Sequence, residues 1–215
     1  MHSSFKGNAT FIRRSIVGAI APALLATLSS FAAETQPTAP PAAERMQQPG
    51  PEEQQLKART GAWTVKMTFR PTPDAKPIVT EQLIAERKMV GLYMAEEMGP
   101  SPDARTKMPD FRRLAYQYYS RVEGRWQYVS MDTRFPVGIM PAYSFANESD
   151  GKLTLYFESL AFVGLGPEVE GRMMRSNLEI VRESDDHEFV RQYWVQADGT
   201  ARQWLAVEYE YQRRR

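Results

Sequence analysis

Arg191 and Tyr193 stand two residues apart in a run of extended character, and side chains at that spacing on a strand project to one side. A guanidinium fork beside a phenol can hold a carboxylate or a phosphate, so this pair is the most concrete ligand-binding candidate in the chain. If Asp198-Gly199 makes a two-residue turn, Trp204 pairs across from Tyr193 and adds an aromatic wall. The same register brings Glu208 near Arg191, and the two could instead form a salt bridge on an outer face. The residues leave both readings open. Tyr116 and Tyr118 are a second same-side pair, which either lines a cavity or packs into the core.

Other chemistries are short of parts. The chain has no cysteine, so it carries no disulfide framework, no thiolate site and no lipid-anchored cysteine. One histidine beyond the N-terminal segment, His187, cannot make a tetrahedral zinc set, and no metal site is read. A Ser-His-Asp arrangement would have to use that histidine, which sits in the turn-like Ser184-Asp185-Asp186-His187. No Gly-x-Ser-x-Gly elbow is present. Asp132, Glu158 and Glu208 are three of many acids, and no two of them stand out for glycoside chemistry. A carboxyl or tyrosine buried in an apolar cavity would suit an isomerase or a dehydratase, yet nothing here picks one out. No catalytic set is assigned.

The elements that would position these side chains follow from composition and pattern. A length of 215 residues suits one large domain behind an N-terminal extension. Hydrophobic residues at 42% and aromatics at 11% are enough for a folded core. Lys6, Arg13 and Arg14 precede an apolar stretch at 16–28, and Ser30-Phe31-Ala32 offers the small residues a signal peptidase needs. Residues 1–32 therefore read as an export signal cut near Ala32, and the protein as periplasmic or secreted. The apolar stretch is short for a membrane span and contains Gly18 and Pro22, so no stable span is expected after cleavage. Arg13-Arg14 keeps the twin-arginine route open beside the general one. Three of the 27 basic residues lie in that signal, and the remaining 24 face 26 acids, a net of −2. Such a body has no basic footprint for nucleic acid.

Residues 33–51, rich in Ala, Pro and Gln, read as a flexible linker, and 52–215 as the folded domain. Glu52 and Glu53 at the start and Lys57 and Arg59 at the end of 52–59 match the dipole of a short helix, with Leu56 as its one apolar anchor. Gly61 follows where a left-handed cap belongs. Trp63, Val65, Met67 and Phe69 then alternate with Thr64, Lys66, Thr68 and Arg70, the period of a strand with one buried face. Further extended runs occupy 78–88, 92–98, 111–122, 125–134, 139–147, 152–163, 170–182, 187–196 and 201–212, separated by Gly, Pro and Asp-Gly turns. The loop 99–110 is the longest irregular stretch and could serve as an entrance or lid, or simply as a connection. About ten strands without crossover helices predict an antiparallel sheet, and a meander that large closes into a barrel or splits into a sandwich. Closure removes both edges, and we expect the barrel.

Gly61-Ala62-Trp63, after a short helix and opening the first strand, resembles the Gly-x-Trp signature of the calycins: lipocalins, fatty-acid-binding proteins and their relatives. The chain's end, Glu208-Tyr209-Glu210-Tyr211-Gln212-Arg213, is similar to a calycin last strand, whose basic residue packs across the tryptophan and bonds to carbonyls at the closed end. More narrowly, residues 56–213 resemble an uncharacterised family of bacterial secreted domains related to the haem-binding nitrobindins. The matching pieces are 56–63, the block 118–132 with Trp126, and the Glu208-x-x-Tyr211-x-Arg213 ending.

The resemblance implies an all-β, antiparallel up-and-down calycin-like β-barrel of about ten strands with one short N-terminal helix. It makes Gly61, Trp63, Tyr211 and Arg213 structural signature residues, and Arg191 with Tyr193 similar to the Arg-x-Tyr pair of fatty-acid-binding proteins. Nitrobindin-like proteins hold haem through one histidine, which makes His187 a nominal haem ligand, although it does not align with that family's ligand. No other cofactor is expected. The leading expectation is a protein that binds a small hydrophobic or amphipathic molecule inside the barrel. An enzyme using that cavity, an isomerase or a hydrolase, is a second reading. A third is an envelope interaction module with a packed barrel and an exposed apolar patch.

Overall fold

The computed structural model describes residues 41–104, 111–134, 137–146, 151–161, 170–197 and 202–215. The expected export signal, the first part of the linker and residues 105–110 of the long loop lie outside them. The second part of the expected linker is not uniformly irregular. It contains helix α1 (Ala42–Gln47), which a short Gln48-Pro49-Gly50 break separates from α2 (Pro51–Ala58). Pro51 presets the first turn of α2, and the Gly50 amide donates to Glu53 Oε2 at 2.5 Å. Only Leu56 and Glu53 of α2 are buried, so the helix depends on what it covers. It lies against β2, β3 and β4, described next.

Eleven strands follow: β1 (Gly61–Phe69), β2 (Ile78–Val90), β3 (Tyr93–Pro100), β4 (Arg113–Ser120), β5 (Arg125–Asp132), β6 (Met140–Ser144), β7 (Lys152–Phe157), β8 (Leu160–Ala161), β9 (Met173–Arg182), β10 (His187–Gln196) and β11 (Trp204–Arg213). β1 to β7 pair each with the next, β7 pairs with β9, and β9, β10 and β11 continue back to β1. All pairings are antiparallel, and the result is a closed ten-stranded barrel. The run expected over 152–163 divides into β7 and the two-residue β8, which pairs further along β9 at Met173 and Met174.

Alternation decides which side chains enter the barrel. On β5 Trp126, Tyr128, Ser130 and Asp132 are buried, while Arg125, Gln127, Val129 and Met131 are half-buried on the other face. On β4 Arg113, Ala115 and Gln117 turn inward, which leaves Tyr116 and Tyr118 outward. The connection between these strands is four residues long, because Ser120 pairs with Arg125. Relative to a two-residue turn at Glu123-Gly124, the extra two residues shift the partners but keep the faces.

Two bulges break the alternation. Between β1 and β2 the register slips after Val65, and Gln82 takes a left-handed φ of 62° to accommodate the extra residue. Between β10 and β11 Gln192 faces Val207 but Tyr193 faces Leu205, so Ala206 is the inserted residue. Trp204 and Ala206 are buried on one side of this bulge, and Val207, Tyr209 and Tyr211 on the other. The partner of Trp204 is Trp194, not Tyr193, a correction to the register expected from a two-residue turn.

Trp63, Trp126, Trp194 and Tyr211 are the bulkiest fully buried side chains, each contributing roughly 1.5–3 kcal/mol by burial. At the end covered by α2, Arg213 lies 4.3 Å over the Trp63 ring and donates to Thr60 O at 2.5 Å and Ala58 O at 2.7 Å. Gly61 has a φ of 120°, and a Cβ there would sit 3.0 Å from Arg213 Nη1. The glycine is therefore required by conformation and by space.

Candidate functional site

A continuous set of charged side chains fills the middle of the barrel. β2, β3, β4 and β10 each turn one inward at a position where their buried neighbours are mostly apolar: Arg87, Glu96, Arg113 and Glu188. Arg59, which follows α2, reaches in from the covered end. Its Nε and Nη2 grip both oxygens of Glu188 at 2.6 and 2.9 Å, and its Nη1 donates to Gln117 Oε1 at 2.8 Å. Arg87 links the two carboxylates, donating to Glu188 Oε1 at 3.0 Å and to Glu96 Oε2 at 2.7 Å. Arg113 donates to Glu96 Oε1 at 2.5 Å and also to the Tyr128 hydroxyl. The Tyr211 hydroxyl donates to Glu96 Oε1 at 3.2 Å. The Arg87 guanidinium is also flanked by two rings, 4.2 Å from Tyr211 and 5.2 Å from Trp63.

These groups are held in fixed charge states. Burial pushes the Glu188 carboxyl up, but Arg59 and Arg87 more than offset it and bring it down to about 2. Burial acts likewise on Glu96, and Arg87 and Arg113 bring it below the ordinary carboxylate value. Burial raises the phenols of Tyr128 and Tyr211, which stay protonated. A general acid needs a carboxyl raised toward neutrality, and these two carboxyls move the other way. The voids found here and beside Trp194 are about 20 Å³ each, too small for a ligand of several atoms. The interior expected to hold a small molecule is packed among the described residues.

Space for a small molecule lies on the outer face of β3 to β6. A groove of about 510 Å³ is walled by Tyr93, Tyr116, Tyr118 and Tyr143, with Val129 and Pro141 on the strands between. The Tyr93 and Tyr118 rings pack at 4.5 Å, and the Tyr118 hydroxyl donates to Gln127 Oε1 at 2.5 Å. Burial, with Tyr93 and Glu123 nearby, raises the Tyr118 phenol and keeps it neutral. Arg125 lies 4.9 Å from the Tyr143 ring and 5.7 Å from Phe145, and pairs with Glu123 at 2.7 Å. Arg125, Gln127 and Glu158 supply the polar groups of the lining.

The structure thus separates the candidate residues. Tyr116 and Tyr118 come together in the outer groove. Arg191 and Tyr193 share a face, the outer one, where Arg191 Nε donates to Glu208 Oε2 at 2.7 Å and its guanidinium lies 4.5 Å from the Phe189 ring. Trp204 is inside, edge-on to Trp194 at 6.0 Å, with its indole N–H on Arg70 O at 3.0 Å. It therefore stands apart from Tyr193, because the bulge at Ala206 turned it inward. His187 has Glu183 Oε2 3.0 Å from Nδ1 and Glu210 Oε1 3.3 Å from Nε2. Its surroundings do not fit a haem ligand, since both ring nitrogens already face carboxylates.

The interior charges were missed in the sequence, although a signal for them exists. Leu83, Ala85 and Arg87 lie on one strand face, as do Met94, Glu96 and Met98, so the charged residue in each trio continues an apolar stripe.

Fold and packing together define a closed calycin-like barrel with a charged core. No family model matches the chain, and no curated protein does. Solved structures do. The S-type phycobiliprotein lyase CPES from Guillardia theta matches with a TM-score of 0.50 at 9% identity, covering 82% of this chain and 99% of that one. Rv2717c from M. tuberculosis matches at 0.46 and 13% identity, over 78% of this chain and 100% of that one. At 9% identity the likeness to the lyase is one of fold alone.

Proposed function

We propose that the protein binds a small amphipathic molecule, with an apolar or aromatic body and a polar head, in the tyrosine groove on the outside of the barrel. The observation that carries this reading is the groove itself, whose volume falls in the range of small-molecule sites and whose walls are four tyrosines. Tyrosine rings offer flat apolar area with little ordering cost, and Gln127 and Arg125 border the groove with polar ends, Gln127 being held by Tyr118 and Glu123. Arg125 is already paired with Glu123, which favours a neutral or weakly polar head over a strong anion. Use of the same fold by a phycobiliprotein lyase is in keeping with a barrel that serves a small ligand. An export signal over residues 1–32, as their charge and apolar pattern suggest, would carry this binding outside the cytoplasm. The mass of the protein isolated from its host would test cleavage near Ala32.

Titration with Nile red, followed by its fluorescence, tests the groove. Tyr116→Ala and Tyr143→Ala remove exposed rings at little cost to folding, and each should weaken uptake about threefold to tenfold. Unchanged affinity in both variants would defeat the reading. The same face supports a second reading, docking of a protein, because Phe145 and Tyr156 are 68% and 55% exposed beside Tyr143. Concentration-dependent self-association that Phe145→Ser abolishes, with no Nile red uptake, would favour it.

A further inference from the structure

The charged core has two hydrogen-bond donors to spare and no acceptor for them. Arg87 Nη1 and Gln117 Nε2 are buried and have no partner among the described residues. Both residues line the same void of about 20 Å³, enough for a single water-sized particle. The Gln117 oxygen is already taken by Arg59, so the amide cannot turn its acceptor toward Arg87 without losing that bond. Charge points the same way. Arg59, Arg87 and Arg113 face Glu96 and Glu188, which leaves a surplus of +1. The neighbouring Arg134–Asp132 pair, at 2.5 Å, adds nothing to it. Buried charge without compensation is costly, and a neutral water would leave the surplus in place.

What fits is an acceptor that carries one negative charge, brings no donors and is about the size of a water. A carboxylate or a phosphate is too large for the void. We propose that the barrel interior binds one halide-class anion, chloride under ordinary conditions, between Arg87 Nη1 and Gln117 Nε2. The ion completes the core as the barrel closes, so it is a constituent of the folded protein rather than a substrate.

Unfolding by urea, with chloride exchanged for gluconate at constant ionic strength, reads this directly, because gluconate cannot enter a one-water void. One bound ion means that each tenfold rise in chloride above its dissociation constant raises the folding constant up to about tenfold. Gln117→Glu keeps the oxygen that Arg59 needs and supplies the missing negative charge, so its stability should not depend on chloride. Crystals grown in sodium bromide give a readout that needs no variant: an anomalous peak within hydrogen-bond reach of both donors. Equal unfolding midpoints in chloride and gluconate for the native chain, or bromide peaks at the surface only, would overturn the proposal.

Discussion

Glu188→Gln tests the charged core most sharply, because one carboxylate there holds two arginines that reach it from different elements. Glu188 accepts from Arg59 at both oxygens and from Arg87 at Oε1. Its carboxyl stands at 4.5 in ordinary surroundings and at about 2 in the barrel. That difference corresponds to roughly 3 kcal/mol of stability at neutral pH. An independent route gives a similar figure, since removing one partner of a buried ion pair costs about 3–5 kcal/mol. The sign follows from the depressed value. The contribution is fully present above pH 4.5 and is lost as pH falls toward 2. Urea unfolding of both proteins at pH 7 should therefore differ by about 3 kcal/mol, with the gap roughly halved at pH 3 and nearly gone near pH 2. Glu96 also titrates below its ordinary value, but it does so in both proteins, and their difference isolates Glu188. A gap under about 1 kcal/mol at pH 7, or one that persists unchanged on acidification, would refute the account of the core.

Two other substitutions probe the frame and the outer face. Gly61→Ala forces a side chain onto a φ of 120° and against Arg213 Nη1 at 3.0 Å, and should lower stability by about 1–3 kcal/mol in thermal or urea unfolding. Arg191→Ala removes a half-exposed pair with Glu208, so it should cost less than about 1 kcal/mol and leave Nile red uptake unchanged. A marked loss of uptake in that variant would restore Arg191 and Tyr193 as a ligand grip.

The elements were legible because most strands of this barrel have one wet face and one dry face. Alternation such as that of Trp63, Val65, Met67 and Phe69 survives in the sequence whatever the strand pairs with, and ten such runs gave ten barrel strands. The faces were harder. Tyr116 and Tyr118 belong together on parity alone, but parity does not say which side of the sheet is the inside. On β4 that is settled by Arg113 and Gln117 finding hydrogen-bond partners within the barrel, with Ala115 buried between them. At Trp204 a single inserted residue, Ala206, changed both the partner and the direction, and nothing in the local sequence marks that insertion. The core charges stayed hidden for another reason. An isolated arginine or glutamate on an apolar stripe reads as a strand's exposed face until its partner, 101 residues away in the case of Arg87 and Glu188, is known.

The interior, filled among the described residues, also explains why the groove lies outside. A calycin-like barrel with an apolar middle can exchange water for a greasy ligand at small cost. Here the same volume is occupied by five ionised groups, with each carboxylate held by two arginines. A ligand entering it would have to break Arg59–Glu188 or Arg87–Glu96 and leave charges unpaired in a low-dielectric interior. No ordinary apolar contact repays that, since fully burying one large side chain gains only about 1.5–3 kcal/mol. The network thus leaves no room for a ligand of several atoms among the described residues. The outward faces of β3 to β6 are then free to vary without disturbing the core, and the four tyrosines stand on them. The small-molecule binding we propose therefore falls to the surface, around the charged centre.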